Sequence, residues 1–483
     1  LYTILTDSIM KSKSLLALLF AIIPFIWGGV AADEYIILSW NDLGMHCANK
    51  DFQNLCVLPP YNNIKAQVIK RGSATALPVI INTGFTVDYS IPGNTYSVGK
   101  TNFWSYAFQL FGVNLAPDIG LKGAGLTGTM STVDNNYFVE GVPLTPFQDN
   151  NLVTENPFQL ALIELKDGNG SVIKTTQPVI PVSNEINCVS SGCHSSETDI
   201  LNAHEQEGGF NPNNKPILCA SCHSSNALGT AGKPGVPSLS LAIHGKHKDI
   251  TNDCYKCHPG TNAQCFRDVM HSAGMVCQDC HGSVATVAGT IENGRNPWLQ
   301  EPSCGATNCH GSNYAEETGK LFRQSRGHGG LFCSACHGSP HAIQPTVQPN
   351  DNVQNIAIQG HSGVLRKCDV CHGYTPASGG PHGFNPTGLE ELSRIIPDKN
   401  EITNIFPNPF TFQATISFTV AETGKIRMEV FSSNGARILL LLNQQMQPGS
   451  YQVKTPVNIL KPGAYIVKLR TNKNTGYRKM IAQ

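Results

Sequence analysis

The most constraining feature of this chain is the segment from residue 188 to residue 372, where seven Cys…Cys-His motifs share 185 residues. Five read C-x-x-C-H: Cys219, Cys222 and His223; Cys254, Cys257 and His258; Cys277, Cys280 and His281; Cys333, Cys336 and His337; Cys368, Cys371 and His372. Two read C-x-x-x-x-C-H: Cys188, Cys193 and His194; Cys304, Cys309 and His310. With 17 Cys and 16 His in 483 residues, chance would supply on the order of 0.02 five-residue motifs, so five require a chemical reason. Zinc sites need paired C-x-x-C units or a distant His pair, and a disulfide scaffold has no use for His in register. Covalent attachment of c-type haem uses all three residues: two thiols add to the porphyrin edge and the adjacent His becomes the proximal iron ligand. Seven covalently bound haems are therefore expected, with His194, His223, His258, His281, His310, His337 and His372 proximal.

Nine histidines remain. His46 lies outside the motif segment, and the other eight are His204, His244, His247, His271, His328, His341, His361 and His382. Seven low-spin haems need seven second ligands, so supply nearly equals demand. The expected distal ligands are His204, His244, His247, His328, His341, His361 and His382. His244 and His247, three apart in H-G-K-H, would share a helix face and serve two neighbouring haems.

So many porphyrins in so short a segment leave little protein for a conventional core. The segment 185–385 is thus read as an irregular, haem-packed domain with few short helices. Charged residues make up 14% of the chain, below the usual quarter, and the net charge is zero. That balance gives no basic footprint for nucleic acid.

The flanks read differently. Residues 1–9 look like an upstream extension, and Met10 begins a secretory signal peptide: Lys11 and Lys13, an apolar run over 15–27, and Val30-Ala31-Ala32 before Asp33. The region 33–184 holds only two cysteines and one histidine, Cys47, Cys56 and His46. Short β-type runs over 35–40, 64–69, 79–81, 137–142 and 158–165, with a turn at Asp167-Gly168-Asn169-Gly170, predict a β-sandwich. Cys47 and Cys56 are the candidate local disulfide of an exported protein. Cys265 is an odd thiol that could pair with either, stay buried or react. Residues 386–403 read as a linker. In 404–483, Ile416, Phe418 and Val420 alternate on one strand and Ile426, Met428 and Val430 on the next, with turns at Ser433-Asn434-Gly435, Pro448-Gly449 and Pro462-Gly463. About seven short strands there predict an immunoglobulin-like β-sandwich.

Three resemblances accompany these readings. W-N-D-L-G-M-H-C (40–47), L-P-P-Y-N-N-I-K-A-Q-V-I (58–69) and P-V-S-N-E-I-N-C (181–188) resemble the leading domain of some secreted bacterial multihaem cytochromes. The stretch 257–282 resembles a recurring block of that family in which an Arg…Met pair, here Arg267 and Met270, follows an extra Cys, here Cys265. In that block His271 is incidental, and Met270 or Met275 would be the alternative sixth ligand. Finally, Pro407-Asn408-Pro409-Phe410, Gly463-Ala464-Tyr465 and Tyr477-Arg478-Lys479-Met480 resemble the type A sorting domain of the type IX secretion system. That likeness implies passage through the periplasm and outer membrane to the cell surface or beyond.

Together these features predict an electron-transfer protein rather than a substrate-converting enzyme. It would take electrons from another cytochrome or an outer-membrane conduit and pass them to a mineral or cellular acceptor, with a homopolymeric filament as a variant. The alternative is a multihaem reductase of nitrogen or sulfur oxyanions, which needs one open iron.

Overall fold

The computed structural model describes residues 34–260, 262–383, 399–406, 408–446, 449–457, 459–471 and 473–483. The expected signal peptide and most of the expected linker lie outside the described residues. The described chain is sheet-rich, with short helices of up to nine residues. Among the described residues no helix is long and apolar enough to cross a membrane.

The amino-terminal region builds facing sheets from alternating strands. Strand Asn63–Lys70 pairs antiparallel with Tyr35–Trp40 on one side and with Asn136–Glu140 and Val79–Ile81 on the other. A second sheet runs Val172–Thr176, Leu162–Lys166, Thr86–Ser90, Gly128–Thr129. Because side chains alternate across a strand, Ile64, Ala66 and Val68 meet Val87, Tyr89, Ile163 and Leu165 in one core. Each Ile, Leu or Val among them contributes about 1.5–3 kcal/mol on full burial. The helix Phe103–Phe111 was not anticipated, yet its pattern is legible: Phe103, Ala107 and Leu110 recur at helical spacing on the buried face. It closes on Gly112 at φ 70°, a left-handed cap suited to glycine.

The first strand is buried on both faces. Ile37 enters the sandwich core, while Ile36, Leu38 and Trp40 face Phe332, Ala335 and Val370 of the motif segment. Trp40 and Phe332 have ring centroids 5.5 Å apart. Polar contacts seal the same joint: the amides of Phe332 and Ser39 donate to the side chains of Gln67 and Gln354 at 3.0 and 2.9 Å. The expected amino-terminal sandwich is therefore also one wall for the sixth and seventh motifs.

Two short sequence signatures become tertiary devices. The Asn41 carboxamide oxygen accepts from the amides of Leu43 and Gly44, each at 2.9 Å. Gly44 sits at φ 77°, where a Cβ would stand 2.2 Å from the Pro340 carbonyl oxygen, so only glycine permits that approach. Just before the first motif, the Glu185 carboxylate accepts from the amides of Gly260, Asn262 and Ala263 at 3.1, 2.9 and 2.8 Å. This binds the loop after the third motif to the first.

The carboxy-terminal region is a sheet domain with its own core. One sheet runs Glu401–Phe406, Thr415–Val420, Gly449–Lys454, and the other Arg437–Met446, Gly424–Ser432, Gly463–Arg470, Thr475–Ala482. The anticipated alternation holds: Ile416, Phe418, Val420, Ile426, Met428 and Val430 all lie in one cluster with Val467, Leu469 and Met480. Asn408 explains part of the P-N-P-F signature. Its side chain donates to the Lys479 carbonyl at 3.1 Å and accepts from the Ile481 amide at 2.8 Å, tying it to the last strand.

Candidate cofactor and metal centres

Each motif is built on a local backbone closure. In the five-residue motifs one helical turn returns the His amide to the first Cys carbonyl: 3.1 Å for His223 to Cys219, and 2.9 Å both for His258 to Cys254 and for His372 to Cys368. Cys277–His281 and Cys333–His337 are single helical turns. The two longer motifs end in the same closure, His194 to Cys188 at 3.0 Å and His310 to Cys304 at 3.2 Å. Their two extra residues are accommodated within the loop, and the His returns to the same carbonyl. The first Cys and the His thus keep one backbone relation in both classes of motif.

The histidines converge in twos. Ring centroids are 6.2 Å apart for His194 and His247, 5.9 Å for His204 and His223, and 6.1 Å for His244 and His258. They are 6.0 Å apart for His281 and His341, 6.0 Å for His337 and His382, and 5.8 Å for His328 and His372. Each pair joins one motif His to one histidine expected to be distal. Two imidazoles on opposite sides of one metal have a computable spacing: about 2.0 Å per metal–nitrogen bond and about 1.1 Å from nitrogen to ring centre, hence about 6.2 Å between centroids. The six pairs fall at or just under that value. Among the described residues no group of three or more His, Cys, Asp or Glu forms a metal cage. A donor set of two imidazoles at this spacing would fit an iron that takes its other four ligands from a porphyrin.

Hydrogen bonds aim these rings. The Nδ1–H groups of His223, His244, His247 and His382 donate to the carbonyls of Pro237, Ser240, Ile243 and Asn313 at 2.8, 2.8, 2.7 and 3.2 Å. Donation from Nδ1 fixes the tautomer and leaves the Nε2 lone pair free. Helix Leu239–His247 carries both His244 and His247 and packs against helix Val284–Glu292. Burial pushes His337 down to about 4 and also lowers His244, His341 and His372, so these imidazoles are neutral at pH 7 and able to ligate.

The remaining expected site residues fall elsewhere. His361 and His310 face no imidazole among the described residues, which include all sixteen histidines. The ring in contact with His310 is Tyr314, at 6.4 Å between centroids. His46 spends its Nε2–H on the Pro59 carbonyl at 2.8 Å, and His271 accepts at Nε2 from the Gln264 amide at 3.0 Å. Cys47 and Cys56, the candidate disulfide, are both free thiols in unlike surroundings. Cys56 packs with Phe52 and Phe103, on a strand paired with Ile217–Leu218. Cys47 pairs with Ser183 and has Cys265 as a neighbouring thiol. Cys265 in turn lies 3.7 Å from Nδ1 of His341.

The thiols also give a spatial order. Burial is the main cause of their raised pKa values, and a thiol of another motif adds to it: Cys188 acts on Cys219 and Cys257, and Cys277 on Cys254. Cys309 acts on Cys280, Cys333 on Cys304, and Cys371 on Cys336. Numbered by chain position, the motifs therefore neighbour one another in the order two, one, three, four, five, six, seven.

Sequence reasoning did not single out Arg267 as a joint between regions. Its side chain is fully buried and holds Asp351 through Nε at 2.7 Å and Nη2 at 3.0 Å. It also donates to the Gly44 carbonyl at 3.2 Å and lies 4.8 Å from the centre of the Phe158 ring. The only signal was an Arg beside an extra Cys.

No curated protein matches the chain. Residues 404–483 match the family described as the secretion system C-terminal sorting domain. The chain thus ends in a type IX secretion sorting domain, which engages that machinery and sends the protein to the cell surface or the extracellular space.

Proposed function

We propose that this protein carries electrons outside the cell through seven covalently bound c-type haems, six of them held between two histidines. The single observation that carries the reading is the set of six imidazole pairs with ring centroids 5.8–6.2 Å apart. In this reading each motif's two cysteines anchor the group and its His ligates from one face. His247, His204, His244, His341, His382 and His328 ligate from the other, serving motifs one, two, three, four, six and seven. When bound, haem supplies a reversible one-electron iron couple. The chain's own part is to fix imidazole tautomers through backbone carbonyls, hold the rings neutral, and bring neighbouring motifs close enough to form one row. Export by the sorting domain agrees with an acceptor outside the cell, such as a mineral or a partner cytochrome.

The test is to produce the secreted protein in a host that matures c-type cytochromes, then count haems by intact mass and follow a potentiometric titration optically. Seven haems with a dominant low-spin spectrum are expected. Fewer than six attached haems, or a mainly high-spin spectrum, would overturn the reading.

A further inference from the structure

Twelve of the sixteen histidines are used in the six pairs, leaving His46, His271, His310 and His361. His46 and His271 both engage Nε2 in hydrogen bonds to protein groups. His361 is arranged like the ligands instead: its Nδ1–H donates to the Ser362 carbonyl at 2.9 Å, leaving Nε2 free. The turn that carries it is held rigidly. It follows helix Val353–Gln359, capped by Gly360 at φ 90°. The buried side chains of Asn355 and Gln359 donate to the Gly363 carbonyl at 2.8 and 3.1 Å, and Gln359 also reaches the Val364 carbonyl at 3.2 Å. Such clamping fits a ligand better than an idle surface loop. Ile356, one turn earlier on the same helix, is 42% exposed. On the other side of the account, His310 is exposed and has only Tyr314, itself 48% exposed, in ring contact.

We infer that the iron held by His310 takes its sixth ligand from His361 of a second copy of this chain. The inference rests on reading the fifth motif as a haem site. One unmatched motif histidine, the exposed His310, and one unmatched, ligand-like histidine, the half-buried His361 near the exposed Ile356, remain per chain. The donating surface, His361 with Ile356, differs from the receiving surface, His310 with Tyr314. Every subunit presents both, so the contact is heterologous and repeats head to tail, giving a ring or an open chain.

The experiment uses the full secreted holoprotein, wild type, His361→Ala and Ile356→Glu. Intact mass counts haems, mass photometry gives assembly across a dilution series, and low-temperature electron paramagnetic resonance gives spin state. Seven low-spin haems are expected in assembled wild type. On dilution to monomers, one haem in seven becomes high-spin and binds carbon monoxide. His361→Ala should keep seven haems, stay unassembled and show that high-spin haem at every concentration. Added imidazole should restore its low-spin signal without restoring assembly. Ile356→Glu should weaken assembly and show the high-spin haem at concentrations where wild type is fully low-spin. Monomeric wild type with seven low-spin haems would place the ligand within the chain and overturn the inference. So would an assembled protein that keeps one carbon monoxide-binding haem, or a His361→Ala protein that assembles normally. A wild-type haem count below seven would instead remove the reading of the fifth motif on which the inference rests.

Discussion

Replacing Arg267 by Ala should loosen the joint between the motif segment and the amino-terminal sheets more than any other single change. Arg267 and Asp351 are both buried, at 0% and 2% side-chain exposure. Removing one partner of a buried pair leaves an uncompensated charge and costs about 3–5 kcal/mol. Loss of the contact with Phe158 adds about 1–2 kcal/mol where the cation is desolvated. The backbone around Arg267 is also structural: its amide donates to the His341 carbonyl at 3.0 Å, and the Val347 amide donates to the Arg267 carbonyl at 3.0 Å. Opening of this joint should therefore disturb His341 and the pair it forms with His281. The assay is native-state hydrogen exchange on the holoprotein, read at the amides of 265–269 and 341–347. Opening should rise by about two to four orders of magnitude, following from 3–5 kcal/mol. The double variant Arg267→Met with Asp351→Leu should recover most of the loss, because no buried charge is then left alone. Two results would refute this: an Arg267→Ala change below about 1 kcal/mol, or a double variant no better than the single.

Four further outcomes follow, the first two from the proposed haem sites and the others from the geometry. His244→Ala should convert one haem, that of the third motif, from low to high spin while leaving the haem count by mass unchanged. Cys265→Ala should raise the potential of the haem between His281 and His341 slightly, since Nδ1 of His341 loses its sulfur acceptor and the ligand becomes less electron-rich; spectroelectrochemistry reads this. Phe332→Ala should destabilise the docking of the first strand by about 3–5 kcal/mol, seen as faster limited proteolysis near residues 331–337. Burial opposes ionisation of Asp149, but hydrogen bonds from Lys100 and Thr95 win and hold its carboxyl below the usual range. Its depressed folded value means that its contribution is present above the unfolded pKa and is lost as pH falls through the folded one. Asp149→Asn should accordingly flatten the acid limb of a stability–pH curve.

What could be read without coordinates was whatever is local. A motif of five or seven residues closes on itself, His amide to Cys carbonyl, within its own length, so its backbone shape needs no distant residue. The alternation of Ile416, Phe418 and Val420 likewise reports one strand's buried face and nothing further away, and the sorting domain was legible for the same reason. Tertiary structure decided which imidazoles meet. His328 precedes the sixth motif yet faces His372 of the seventh, and His382 follows the seventh yet faces His337 of the sixth. Counting histidines could not reveal this crossing, nor that His310 and His361 fail to meet within one chain. The same holds for Tyr35–Trp40, which reads in sequence as one of several short β-type runs and proved to be a wall shared with the motif segment. Spacing along a chain fixes the closure of a short motif because bond geometry is short-ranged. A pairing between residues 53 or 60 positions apart, as for His194 with His247 or His281 with His341, exists only once packing has brought the segments together.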